Sequence, residues 1–179
     1  MKLILSDKVF SEVTTVSHRY FKDNRGTFSK RFDTRNSEFE DFIKIDQVNI
    51  VSNIAAGTWR GLHFQQKPYG EKKLISVLTG EIIDFFVNVN SDSSLYLHYN
   101  FYRVNSESNF SIMIPPEYAH GYLTLQKETS VLYLHDGQYE TKFESGLNVD
   151  SLEIDFEVIF GQKINVISER DLGLPNIGT

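Results

Sequence analysis

A chain of 179 residues with 40% apolar and 13% aromatic content is long enough for one sizeable core and too apolar for a disordered segment. A net charge of -6 argues against a surface built for nucleic acid or anionic lipid, since phosphate binding draws on basic patches. With no cysteine there is no disulfide framework, thiolate metal site or thiol nucleophile.

The opening residues Met1-Lys2-Leu3-Ile4-Leu5-Ser6-Asp7 turn polar too early for a signal peptide, and no run approaches the roughly twenty apolar residues of a membrane span. The expectation is a soluble cytoplasmic protein. Segments 12–16 and 26–32 read as strands around the turn Lys22-Asp23-Asn24-Arg25-Gly26. A short helix is expected over 37–42, where Ser37 and Glu40 have the spacing of a capping box. From 45 onward short strands follow closely, at 45–52, 58–64, 73–78, 81–89, 96–104, 109–114, 121–125 and 131–135. Thr79-Gly80 supplies a hairpin turn, and Pro115-Pro116-Glu117-Tyr118 ends a strand because proline cannot continue a central ladder. The pattern loosens over 143–154, and 167–172 reads as a turn or short helix. This succession predicts an all-β jelly-roll sandwich or barrel, with residues 1–179 forming a single domain.

The densest chemistry lies in Thr58-Trp59-Arg60-Gly61-Leu62-His63-Phe64-Gln65. Regular alternation would place Arg60 and His63 on opposite faces, but a bulge at Gly61 would bring them to one side. Taken alone, the pair also reads as a satisfied core histidine beside a surface cation. His120 falls at a strand edge, so a metal held by His63, His120 and Glu71 is a second reading, although Gln65 stands where a same-face ligand would lie. Tyr133 and Tyr139 are spaced to point to one side of an extended segment, and a phenol opposite a base suits proton exchange at carbon. Lys73 and Arg60 would supply charge for an oxyanion or phosphate. Asp171 is the tail candidate for orienting His63.

Arg60-Gly61-Leu62-His63-Phe64-Gln65, Pro68, Lys73-Leu74, Gly80-Glu81 with Asp84, Pro115-Pro116 with Ala119-His120-Gly121, Leu132-Tyr133 and Ser168-Glu169-Arg170-Asp171 follow in order, with Arg25-Gly26 and Phe28 before them. In order and spacing, from residue 10 to 172, they resemble the dTDP-4-dehydrorhamnose 3,5-epimerases, the RmlC-like nucleotide-sugar epimerases. The resemblance implies a cupin-type jelly roll, free of cofactor and metal, forming a homodimer that exchanges N-terminal strands. It implies a nucleoside-diphosphate 4-keto-6-deoxyhexose as substrate, inverted beside its ketone through an enolate. His63 would be the base, Asp171 its partner, Tyr133 the acid and Lys73 the stabiliser of the enolate oxygen. Arg60 and Gln47 would hold the diphosphate and neighbouring groups, with Asn49, Arg25 and Phe28 also binding substrate. His120 would contact the sugar or support the site, and Tyr139 would bear on whether one or both centres invert.

The chain departs from the family pattern at Asn24, Lys30, Asn88 and Asn90, and reads Gly146-Leu147-Asn148-Val149 after the tyrosines. These changes leave open the nucleotide base, the sugar and the carbon inverted. The alternatives are a ketoisomerase, which moves the carbonyl by related proton transfers, and a sugar-binding module that kept the barrel without catalysis.

Overall fold

The computed structural model describes residues 3–6, 10–40, 42 and 44–177. Two sheets face each other. The six-stranded sheet runs β1 (Ile4–Leu5), β9 (His98–Asn105), β8 (Glu81–Asn88), β11 (Tyr118–Thr124), β6 (Trp59–Gln65) and β13 (Glu144–Gly146). The five-stranded sheet runs β2 (Thr14–Ser17), β10 (Phe110–Ile114), β7 (Lys73–Thr79), β12 (Thr129–His135) and β5 (Gln47–Asn53). Within these sheets β1 and β9 pair in parallel and the other pairs are antiparallel. β3 (Arg19–Asp23) and β4 (Gly26–Lys30) form a separate hairpin. The result is the cupin-type sandwich that strand spacing and resemblance anticipate.

Alternation along the strands builds three apolar layers. Ile75, Val77, Ile112 and Val131 meet Ile82, Phe86, Tyr118 and Tyr122 between the sheets. The outer face of the six-stranded sheet, with Trp59, Leu62, Phe85 and Leu123, is covered by Val149, Leu152 and the phenyl rings of α1 (Phe156–Phe160). Phe39 and Phe42 cover Leu74, Met113 and Leu134 on the outer face of the other sheet.

A polar chain accompanies that second cover. Arg31 Nη1 donates to His18 Nδ1 at 3.1 Å, which leaves His18 Nε2 to donate to Ser111 Oγ at 2.6 Å. Ser111 in turn bonds Ser76. Burial and the neighbouring guanidinium lower the His18 pKa to about 4, so the ring stays neutral.

Several local expectations are corrected. The helix expected over 37–42 is one 3-10 turn, Ser37–Phe39, and Asn36, not Ser37, accepts from the Glu38 N–H as its cap. Asp41 lies outside the described residues, as do Met1, Lys2 and Asp7 at the N-terminus. β11 begins at Tyr118 rather than 121, so Ala119 and His120 belong to the strand. β3, β1 and α1 are additional to the expected elements. In the tail, α2 (Glu169–Leu172) occupies the segment read as a turn or short helix, capped by Ser168 Oγ on the Asp171 N–H. Among the described residues no helix is long and apolar enough to cross a membrane.

Candidate active site

The inward faces of the two sheets are apolar at one end and polar at the other, where they enclose a cavity of about 500 Å³. Arg60, His63 and His120 enter it from the six-stranded sheet, and Asn49, Lys73, Tyr133 and His135 from the five-stranded one.

Arg60 and His63 share this cavity because β6 carries an extra residue. His63 pairs with His120 and Arg60 with Tyr122, so three steps on β6 oppose two on β11. The insertion reverses the parity of the strand. It falls at Gly61, whose φ of +116° a side chain would resist, and a Cβ there would stand 2.6 Å from the Gly121 Cα. A Cβ on Gly121 would meet the Arg60 carbonyl oxygen at 2.6 Å, so both strands need glycine where they touch.

His63 Nε2 lies 2.9 Å from Asp171 Oδ1, and the Gly61 N–H donates to Asp171 Oδ2 at 3.1 Å. A carboxylate only accepts, so Nε2 carries the proton and Nδ1 keeps a free lone pair. Burial pushes the Asp171 carboxyl up, but the bonds from His63 and Gly61 outweigh it and hold the group below its ordinary range. Asp171 is itself held by α2, and Asn148 Nδ2 ties that helix to the sheet by donating to the Leu172 carbonyl at 2.8 Å.

Tyr133 stands on the opposite wall. Burial, then the nearby Tyr122 and Asp84, raise its phenol well above the ordinary tyrosine range, so it remains a proton donor. Its ring is stacked on His135 (centroids 5.7 Å, 9° between planes) and meets His120 edge-on at 5.8 Å. His120 Nε2 is 2.6 Å from the wholly buried Asp84, which fixes the ring between the two walls. Lys73 is 7% exposed, with Nζ 3.6 Å from Glu71 Oε1; burial pushes its ammonium down and Glu71 opposes that shift.

At the mouth, Arg60 Nε donates to Asn53 Oδ1 at 2.8 Å, and among the described residues no carboxylate lies within ion-pair distance of its guanidinium. That leaves a fixed cation facing the opening, suited to an anion. Tyr139 donates to Glu144 Oε2 at 2.6 Å, and Glu144 also pairs with Arg170. Gln65 positions this rim, donating to the carbonyls of Tyr69 and Gln138 and accepting from the Glu140 N–H.

The cavity thus brings together His63, Tyr133, Asp171, Lys73, Asn49, Arg60, His120 and Tyr139. It does not include Gln47, whose Nε2 donates to the Gly137 carbonyl at 2.8 Å. Arg25 and Phe28 sit on the β3–β4 hairpin, away from the cavity of their own chain. Among the described residues no three His, Asp or Glu side chains form a group that could hold a metal. His63 and His120 are each already bonded to a carboxylate.

Sequence reasoning did not place Glu144, Arg170 or His135 in the site, and treated Glu71 only as a possible metal ligand. His135 had a signal, since it stands two residues after Tyr133 on one strand and alternation puts both on one face.

Comparison with known proteins agrees with this architecture. Residues 8–178 match the family profile described as dTDP-4-dehydrorhamnose 3,5-epimerase. The enzyme of that name from Sinorhizobium fredii is 30% identical over 172 residues, covering 93% of this chain and 86% of the relative. The one from Methanothermobacter thermautotrophicus is 32% identical over 155 residues, covering 84% and 82%. The crystal structure of the Bacillus anthracis enzyme, with TDP and PPi bound, superposes with a TM-score of 0.82 at 29% identity, covering 98% of this chain and 99% of that one. With a profile match spanning nearly its whole length and the same sandwich, the chain belongs to the dTDP-4-dehydrorhamnose 3,5-epimerase family.

Proposed function

We propose that the chain, acting as one domain, inverts the carbons flanking the ketone, C3 and C5, of a dTDP-linked 4-keto-6-deoxyhexose, in deoxysugar biosynthesis. The observation that carries this reading is a base and an acid on facing walls: the His63–Asp171 pair on one sheet, the un-ionised Tyr133 on the other. The ketone acidifies its neighbouring C–H bonds, and His63 Nδ1 takes one of these protons. Electrons move onto the carbonyl oxygen as an enolate, which the Lys73 ammonium stabilises. Tyr133 then delivers a proton to the same carbon from the opposite face, inverting it. His63 releases its proton and the Tyr133 phenolate regains one, so the enzyme returns to its starting state with no net change in protons.

Arg60 suits the diphosphate, as the cation at the mouth. The TDP held by the Bacillus anthracis relative supports a thymidine nucleotide. Lys30, one of the departures from the family pattern, is 3.2 Å from Asp33 Oδ2.

The reading includes a homodimer in which Arg25 and Phe28 of the β3–β4 hairpin complete the partner's site, and a cytoplasmic location. Supporting the dimer, Phe21 is 60% and Phe28 59% exposed on a hairpin that no other strand pairs with among the described residues. Val48 and Ile50 are equally bare on the edge strand β5.

The test is incubation of purified protein with dTDP-4-keto-6-deoxyglucose in deuterated buffer, read by NMR. Deuterium at C3 and C5 with inverted products is expected. No incorporation would refute the epimerase reading, and a ketone moved to another carbon would make the protein a ketoisomerase.

A further inference from the structure

We propose that Glu71 is a positioning residue that keeps the Lys73 amine cationic inside the cavity, and so equips it to take up enolate charge. The catalytic half of this inference rests on the role given to Lys73 above; the electrostatic half stands on the cluster itself.

An ammonium at 7% exposure has lost most of its hydration, and a lysine so placed tends to shed its proton unless an anion is fixed beside it. Glu71 is that anion. Its Oε1 is 3.6 Å from Lys73 Nζ, and among the described residues it is the one carboxylate within ion-pair distance of that amine. The other acids facing Lys73 are engaged elsewhere. Asp136, just beyond β12, accepts from the Lys72 N–H at 2.7 Å, and Glu144 of β13 is bonded to Tyr139 and paired with Arg170. His135 and Tyr133 face Lys73 from β12, and His63 from β6 across the cavity.

The fold holds Glu71 in an uncomfortable place. The residue is 5% exposed, and its Oε2 is buried with no hydrogen-bond partner among the described residues. An ionised carboxylate in that setting needs a neighbouring positive charge as much as the amine needs a negative one. Its seat is shaped by Gly137, where a Cβ would stand 2.9 Å from the Glu71 Cβ. Gln47, which lies outside the cavity, holds the Gly137 carbonyl in place. The same Oε1 is 3.2 Å from His135 Nδ1, but that nitrogen has no hydrogen-bond partner among the described residues. A carboxylate and an ammonium at the Glu71–Lys73 distance cancel each other's charge inside the cavity.

The experiment follows the Lys73 charge directly. Protein labelled with ¹³C at the lysine Cε is titrated by NMR, with Lys73→Arg used to assign the signal. In Glu71→Gln, an isosteric change, the Lys73 midpoint should fall by at least about one pH unit, a tenfold weakening of proton affinity. Gly137→Ala, which displaces the Glu71 stem with its charge intact, should move it in the same direction. Midpoints matching wild type in both variants would overturn the proposal. Turnover of the 4-keto sugar is measured on the same samples. The Glu71→Gln rate should fall most at alkaline pH and recover as the pH is lowered, whereas a uniform loss at every pH would overturn the catalytic half. If the wild type does not turn over while the midpoints shift, the electrostatic half stands and the epimerase reading falls.

Discussion

His18 makes acid sensitivity of the fold a quantitative matter. The ring can accept from Arg31 and donate to Ser111 only while it is neutral, and its pKa in the folded protein is about 4 against an ordinary 6.5. The folded state therefore refuses a proton that the unfolded chain takes up. The stability this confers is complete above the unfolded pKa and is lost as pH falls toward the folded one. Between about pH 7 and about pH 5 the loss works out at about 2 kcal/mol. Replacing the ring by His18→Gln keeps one donor and one acceptor but removes the titration. Urea unfolding at the two pH values should show wild type losing about 2 kcal/mol more than His18→Gln, seen in thermal melts as a difference of roughly 4–8 °C. Carboxylates elsewhere titrate in both proteins and cancel in the comparison. Equal losses would refute the neutral-ring account of the Arg31–His18–Ser111 chain.

Asp171→Asn should lower kcat by about 10²- to 10⁴-fold with KM nearly unchanged, since an amide can bond His63 Nε2 in the wrong tautomer; steady-state kinetics decide it. Tyr133→Phe should still exchange substrate hydrogen with deuterated solvent through His63, while inversion falls by about 10²-fold or more. NMR that finds exchange and inversion lost equally would remove Tyr133 from the role of acid. Gly61→Ala should cost at least about 2 kcal/mol in urea unfolding, because the left-handed backbone and the Gly121 contact both oppose a methyl group.

Much of the fold was legible because its central strands are short apolar runs separated by turn residues. β7 and β8 lie between the sandwich core and its outer covers and are buried on both faces, so they read as short, nearly unbroken apolar segments bounded by turn residues. β3 gave no such signal: Arg19-Tyr20-Phe21-Lys22-Asp23 is exposed along its whole length, so no in-and-out pattern exists to read. At 36–40 two residues had capping chemistry, and spacing alone favoured Ser37 although Asn36 forms the cap. In the site, the Gly61 bulge was a condition the sequence posed, and the register between β6 and β11 meets it. Asp171 was nameable through its motif. Glu71 and His135 were harder, since their significance arises from Lys73 and Tyr133 being cross-strand and same-face neighbours, a relation set by pairing between β7 and β12.

The contact between His63 and Asp171 joins residues 108 positions apart. Both sheets are complete by residue 146, before α2 has been synthesised. The sheets themselves therefore hold His63 without its carboxylate partner, which α2 brings from outside them. The proposed base is oriented through the tail, which is held at Gly61 and Asn148. Chain order thus keeps the two sheets, complete by residue 146, apart from the carboxylate that orients His63, so the vessel and its arming belong to separate segments.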